Sequence, residues 1–513
     1  MKDINIDAKR GNAFTRRFFI GGLASLGAFG GCRALRFPAG SCSGGRPNLR
    51  FGVVSDVHIR IGSGGFAKNH GPETLESAFR WFRDRGVDAV MIPGDLADMG
   101  LVPELEAVAA TWFRVFPNDR APDGRRVERL FVCGNHDWDG WSYSCYKGLY
   151  ENLFRDEADI RRNKAGLDQK GSWERVFHEP FSLVWRKEVK GYSFVGAHWT
   201  GEHCIGSSFA DEKGIVGVAD FFAKTGPFDP SRPFFYFHHP HLKNTCYGPW
   251  AWGHDDGEAT RTLSAFPNAV AFSGHSHYSL TDERSIWQGA FTSVGAGSLR
   301  FTGMPYYEFL PEGYENTVAP KPRRKEFDPF KAMQVLDTGD GRQGLLVSVY
   351  DDRIVYERRD MIGGKSLGDD WVQPLESSEP RPFAFAVRAA KSTAPEFPPG
   401  AELVVRRERG KTRNGNETDV FAVEFPPANA AKGARALYYK VEITPKDGEK
   451  TVKRMLAPGF HLPADNPRAN AKCVFRIAAD RLPAASEYAF STCPVNSLGK
   501  IGMSLSKTER TMQ

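Results

Sequence analysis

Five short groups of residues able to bind metal recur in the first 280 positions: Asp56-Val57-His58, Gly94-Asp95-Leu96-Ala97-Asp98, Gly134-Asn135-His136-Asp137, His238-His239-Pro240 and Gly274-His275-Ser276-His277. Carboxylates, imidazoles and one amide in such density suit a cation centre that activates water. Mixed oxygen and nitrogen donors favour Zn, Fe, Mn or Ni over the all-oxygen shells of Mg and Ca. Asp56 and His58 stand at i and i+2, which on an extended strand places both side chains on one face. Asp95 offers two carboxylate oxygens that could bridge a pair of ions. Asn135 adds an amide oxygen, and His238, His275 and His277 add imidazoles.

The elements that must carry these groups are legible beside them. Each group follows an apolar run (LRFGVVS, AVMIP, RLFVC, PFFYF, AVAFS) that reads as a buried strand ended by turn residues. The polar residues therefore fall at strand ends, where loops of an open α/β sheet gather around ligands. Helical spacing at Glu73 to Arg85 and Pro103 to Phe116 adds covering helices and an α/β layered sandwich. Gly344 to Tyr350 and Arg353 to Tyr356, on either side of Asp351-Asp352, read as a hairpin closing the layer. A lone Asp or His at a strand end is ordinarily a turn former; five such groups in one context are not.

The order D-x-H, G-D-x-x-D, G-N-H-D, H-x-P, G-H-x-H resembles the calcineurin-like metallophosphoesterase family over about residues 50 to 355. The resemblance implies an α/β fold, a calcineurin-like four-layer α/β/β/α sandwich; beyond it, short alternating segments read as a C-terminal all-β sandwich domain. It implies two divalent or mixed-valence transition-metal ions (Fe, Mn or Zn). Asp56, His58, Asp95 and His277 would hold one, and Asp95, Asn135, His238 and His275 the other. A metal-bridging hydroxide would attack a small-molecule phosphoester, and His136, oriented by Asp98, would stabilise or protonate the leaving oxygen. Two ions roughly 3.5 to 4 Å apart suit that chemistry by clamping both oxygens of an in-line displacement. In this alignment His239 and Asp137 take supporting roles.

Thr15-Arg16-Arg17-Phe18-Phe19-Ile20 resembles a twin-arginine export signal, and the small, apolar stretch Gly21 to Phe29 is too short to span a bilayer. The expected location is periplasmic or bound to the cell envelope. Cys32 resembles the cysteine of a lipobox, with Phe29 where Leu is usual, and is a possible lipid tether. Residues 1 to 50 carry nine Lys or Arg against Asp3 and Asp7, a balance of +7 within the total of +6, so residues 51 to 513 sum to −1. No general nucleic-acid binding is expected of so neutral a body. Eight cysteines exclude a small disulfide scaffold; Cys133 reads as a buried thiol, and Cys473 with Cys493 as a possible pair.

Boundaries follow from composition: a leader at 1–45, the catalytic domain at 46–362, a polar linker at 363–380 and a β-sandwich at 381–513. Short alternating segments, from Phe383-Ala384-Phe385-Ala386-Val387 through Glu487 to Thr492, mark the last. Its ending resembles the late strands of a fibronectin type III module. Trp138, Trp141, His198 and Trp250 lie in aromatic insertions after ligand segments, where they either stack on a base, sugar or aryl group or pack the insertions together. A non-catalytic cell-envelope module binding metal or carbohydrate is the alternative to an exported phosphoesterase, and the sequence sets no oligomeric state.

Overall fold

Alternating apolar strands build two six-stranded sheets whose facing sides form the centre of the molecule. In the computed structural model, residues 45–62, 65–139, 156–200, 214–248, 253–303, 341–375, 381–411, 417–429 and 435–510 are described. The segment read as an export signal, Cys32, Trp141 and Trp250 lie outside them. Arg46–Gln513 form one unit.

In order, the first sheet runs Trp371–Pro374, Arg353–Asp360, Gln343–Val349, Leu49–Val53, Ala89–Pro93 and Glu128–Val132. Its last three strands are parallel. The second runs Ile286–Gln288, Thr292–Gly295, Ala269–Ser273, Phe234–Phe237, Tyr192–Ala197 and Val184–Val189, with a parallel centre. Between the sheets, Phe51 is fully buried against the rings of Phe194, Phe235 and Phe272, with centroids 5.3, 4.9 and 5.8 Å away. The outer faces carry helices, giving the four-layer α/β/β/α arrangement. Helix Glu73–Asp84 buries Leu75, Ala78, Phe79 and Phe82, one stripe at helical spacing. Gly52 is required beneath it, because a Cβ there would lie 2.6 Å from the Phe82 ring.

The helices expected at 73–85 and 103–116 are observed at Glu73–Asp84 and Val102–Val115. The expected hairpin is the antiparallel pair Gln343–Val349 and Arg353–Asp360. The segment read as a linker, 363–380, differs: Trp371–Pro374 adds an edge strand to the first sheet. Trp371 holds it there, buried under the Arg358 guanidinium at 4.4 Å and donating Nε1–H to Glu283 at 3.0 Å.

Beyond that edge strand, sheets of three strands (Val404–Lys411, Glu417–Phe425, Cys473–Ala478) and four (Thr451–Leu456, Tyr438–Pro445, Glu487–Val495, Leu505–Arg510) are antiparallel throughout. Phe421, Phe425, Tyr439, Phe475 and Phe490 share their common core. Phe383 to Val387 does not begin this sandwich as a strand; Phe385–Lys391 is a helix. Three alanines in that stretch favour helix locally. Cys473 and Cys493 belong to different sheets and are free, as is buried Cys133. Among the described residues no helix is long and apolar enough to cross a membrane.

Phe51→Ala should cost about 3 to 5 kcal/mol, read as a lowered urea midpoint, because its cavity would lie between two sheets that cannot collapse independently.

Candidate metal centre

The polar groups sit in the loops just past the strands, and those loops are bent by left-handed residues. Asp56 (φ 52°), His58 (φ 50°), Asp95 (φ 54°), His275 (φ 70°) and His277 (φ 57°) all adopt this conformation. For non-glycine residues it costs roughly 1 to 2 kcal/mol each, so the surrounding structure must over-determine it. The strand reading of Asp56 and His58 is therefore corrected: the strand ends at Val53, and turns rather than pleat alternation bring the two side chains together. Backbone bonds pin this turn to its neighbour, with Val57 N–H and His58 N–H donating to Asp95 O at 2.8 and 3.0 Å.

Two donor groups lie side by side, Asp56, His58 and His277 in the first and Asp95, His239 and His275 in the second; a third set, His58, Asp98 and His136, shares His58 with the first, and in each the ligand atoms lie within 4.8 Å of one another. In the first, His277 Nε2 lies 3.0 Å from Asp56 Oδ1 and 3.2 Å from His58 Nε2. In the second, His239 Nε2 lies 3.1 Å from both Asp95 Oδ2 and His275 Nδ1. Asp95 Oδ2 is also 3.4 Å from His58 Nε2, so one carboxylate oxygen joins the groups. Ligand atoms about 2.0 to 2.2 Å from a transition metal stand about 2.8 to 3.6 Å apart at octahedral or tetrahedral angles. The donor set fits such ions in type and in spacing.

Three of the four rings are fixed from behind. His58 Nδ1 is 2.8 Å from Asp98 Oδ1, His239 Nδ1 donates to Pro93 O at 2.8 Å, and His277 Nδ1 donates to Phe301 O at 3.0 Å. These bonds leave the Nε2 atoms for the centre, as outer partners of metal-binding histidines do. Gly94 (φ 95°) and Gly134 permit the approach: a Cβ would lie 2.3 Å from His239 Nδ1 at the first and 2.2 Å from Asp95 Oδ1 at the second. Burial opposes ionisation of both acids, but His277 brings the Asp56 carboxyl to about 2, and His239 with His136 holds Asp95 well below the usual range. Burial likewise opposes the charge on His239, yet Asp95 raises it to about 10. A cation entering here displaces that proton.

The structure corrects four expectations. His238 is not in the donor set. Phe235 and Phe237 face the core between the sheets and His239 follows them in parity, whereas Phe234 and Tyr236 face the helices and His238 follows those. Its Nδ1 meets the Tyr236 hydroxyl at 3.0 Å, and burial lowers its pKa to about 3. Asp98 orients His136 through its backbone: His136 Nδ1 donates to Asp98 O at 2.7 Å, while the carboxylate serves His58 and Arg60. Trp138 is fully buried with Nε1–H donated to Trp199 O at 2.6 Å, so it packs the insertion and presents no surface to a ligand. His198 is equally interior, its ring against Trp173 and Phe181 at 4.6 and 4.7 Å.

Asn135 is buried on the loop beside Asp95, between Gly134, whose N–H donates to Asp137 Oδ2, and His136, whose N–H donates to Asp95 Oδ1. Asp137 also accepts from Ala97 N–H at 2.7 Å and ties two metal loops together. His136 is half-buried at the rim, its ring 4.6 Å from that of His58. Three residues that motif spacing did not single out border the first group: His70, Arg300 and Phe301. Only His239 carried a signal, the strand alternation that separates it from its neighbour.

Residues 49–279 match the calcineurin-like phosphoesterase family. That span contains both donor groups and His136. No curated protein matches the chain significantly. Among solved structures, a conserved uncharacterized protein from Streptococcus pneumoniae TIGR4, described as a predicted phosphoesterase, is 12% identical over 64% of this chain and 97% of its own, with a TM-score of 0.24. A hypothetical protein from Pyrococcus horikoshii OT3 is 10% identical over 64% of this chain and 89% of its own, with a TM-score of 0.25. Overlaps so slight carry no functional argument. The sheet arrangement, the family match and the donor set support a metal-dependent hydrolase.

His239→Ala should reduce bound transition metal in elemental analysis of the purified protein, whereas His238→Ala should retain it; the reverse pattern would restore the assignment made from spacing. In chelator-treated protein the Asp56 carboxyl, held at about 2 against an ordinary 3.8, contributes stability that is present above 3.8 and lost as pH falls toward 2. Urea midpoints measured between pH 5 and pH 2.5 should therefore converge for wild type and Asp56→Asn at the acid end.

Proposed function

We propose that the chain is a phosphoesterase holding two transition-metal ions, one at Asp56, His58 and His277 and one at Asp95, His239 and His275. The position of Asp95 Oδ2 between the groups carries this reading, since a shared carboxylate is what a paired centre requires. Asn135 completes the second group in the family pattern. Bound ions of this kind lower the pKa of a water and neutralise charge on phosphoryl oxygens.

The side chains divide the remaining work. Asp56, His58, Asp95, His239, His275 and His277 bind and orient, with the carboxyls of Asp56 and Asp95 kept ionised. His136 stands at the rim of the first group, and its Nδ1–H bond to Asp98 O turns Nε2 toward the substrate side. There it holds or delivers a proton at the leaving oxygen. Asp98 fixes the tautomer of His58 and holds Arg60 at 3.2 Å, so that one buried carboxylate organises the edge of the site. A phosphomonoester or phosphodiester, including nucleotide-like compounds, fits this arrangement.

The twin-arginine-like leader supports export to the periplasm or envelope, with Cys32 as a membrane tether. The fibronectin-like character of the sandwich supports a packing or attachment role.

Elemental analysis joined to a panel of aryl monoesters, aryl diesters, cyclic nucleotides and nucleotide sugars tests the proposal. Metal-dependent turnover of at least one class is expected, with Asp95→Asn losing most activity and metal. His136→Ala should lower kcat by about 10² to 10⁴ while metal is retained. Stoichiometric metal with no hydrolysis of any ester would instead make the chain a binding module.

A further inference from the structure

Residues 298 to 303 run along the first donor group and are fastened to it at several points. Ser298 Oγ–H donates to Asp56 O at 3.3 Å and accepts from Arg300 N–H and Phe301 N–H at 2.9 and 3.3 Å. His277 Nδ1–H donates to Phe301 O, and Gly303 N–H donates to His277 O at 2.6 Å. This strap presents two side chains of different chemistry. The Phe301 ring lies against the His277 ring, 4.1 Å between centroids and tilted 41°, yet remains 37% exposed. The Arg300 guanidinium donates to His70 Nε2 at 2.6 Å, and His70 Nδ1–H in turn donates to His58 O at 2.9 Å.

A single exposed Phe is ordinary on a protein surface. This one is not placed at random, because its ring covers a candidate metal ligand and its carbonyl sets that ligand's tautomer. An arginine anchored through a histidine to the backbone carbonyl of His58, a second member of the same group, stands beside it in sequence. We propose that Arg300 and Phe301 form a substrate subsite, in which the guanidinium takes a phosphoryl oxygen and the ring stacks on a planar group of the ester. This rests on the phosphoesterase reading and names its substrate class: phosphoesters of aryl or nucleobase-bearing alcohols rather than of small aliphatic ones. Planar pairs in such geometry are favoured over aliphatic contacts, and an arginine suits the paired oxygens of a phosphoryl group.

Calorimetric titration of the metal-loaded protein with phenylphosphonate and methylphosphonate reads the subsite without turnover. Wild type should bind the phenyl compound about threefold to tenfold more tightly. Phe301→Ala and Phe301→Leu should abolish that preference and leave metal content unchanged, because the bond to His277 comes from the backbone; Phe301→Tyr should keep it. Arg300→Gln should weaken both compounds alike, by about tenfold or more. Steady-state rates add a second readout: bis(p-nitrophenyl) phosphate and methyl p-nitrophenyl phosphate share a leaving group, and the advantage of the first in KM should shrink in Phe301→Ala. Equal affinity for the two phosphonates in wild type, or a preference that survives in Phe301→Ala and Phe301→Leu, overturns the subsite. Absence of hydrolysis across every ester class overturns the phosphoesterase reading instead, whatever the phosphonates show.

Discussion

Two carboxylates and four imidazoles are forced into one buried space by loops that would relax elsewhere if left alone. Asp95 is the point at which this constraint concentrates. Its side chain faces rings from both donor groups, its carbonyl accepts the backbone of the Asp56 loop, and its own φ is left-handed. Desolvation alone would drive such acids toward neutrality. Positive partners keep them ionised, and in metal-free protein the proton shared with His239 supplies part of that charge. Cations do the same work more fully, so metal binding and loop conformation are one equilibrium seen from two sides.

The rest of the fold is arranged to hold those loops still. Strand ends are stationary when the strands are buried on both faces, and the phenylalanine cluster around Phe51 locks the two sheets face to face. The helix Glu73–Asp84 closes on Gly52 through the Phe82 ring. Hydrogen bonds donated to Pro93, Asp98 and Phe301 then set ring orientation, the last adjustment and the one most sensitive to tenths of an ångström.

Which parts of this were legible in the sequence follows from how local each cause is. Strands, helices and the five ligand groups are written in runs of a few residues, so the apolar segments before Asp56 and Asp95 place them at strand ends without further information. The choice between His238 and His239 depends on pleat parity carried through Phe234–Phe237, and motif spacing does not contain it. Left-handed turns at Asp56 and His277 depend on contacts between loops far apart in the chain. Trp138 and His198 look like binding residues because aromatic insertions can either stack on ligands or fill space; only burial separates the two. The helix at Phe385–Lys391 was hidden for a related reason, since alternating Phe and Ala satisfy both periods over five residues.

The sandwich is joined to the catalytic layers by charge as well as by contact, and the join reaches toward the metal loops. Arg388, from the helix before the sandwich, pairs with both the carbonyl and the carboxylate of Glu283, which also accepts from Arg358 at 2.8 Å and Trp371. Glu283 N–H donates to Ser497 Oγ at 3.3 Å, and Gln343 Nε2 donates to His461 O at 2.7 Å while its Oε1 accepts Leu280 N–H. Leu280 lies three residues beyond His277. Buried ionic groups of this kind are poor sources of net stability, but they fix register, and here they hold the chain leaving the last metal ligand in one position relative to the sandwich. The β domain is thereby tied to the chain just beyond His277.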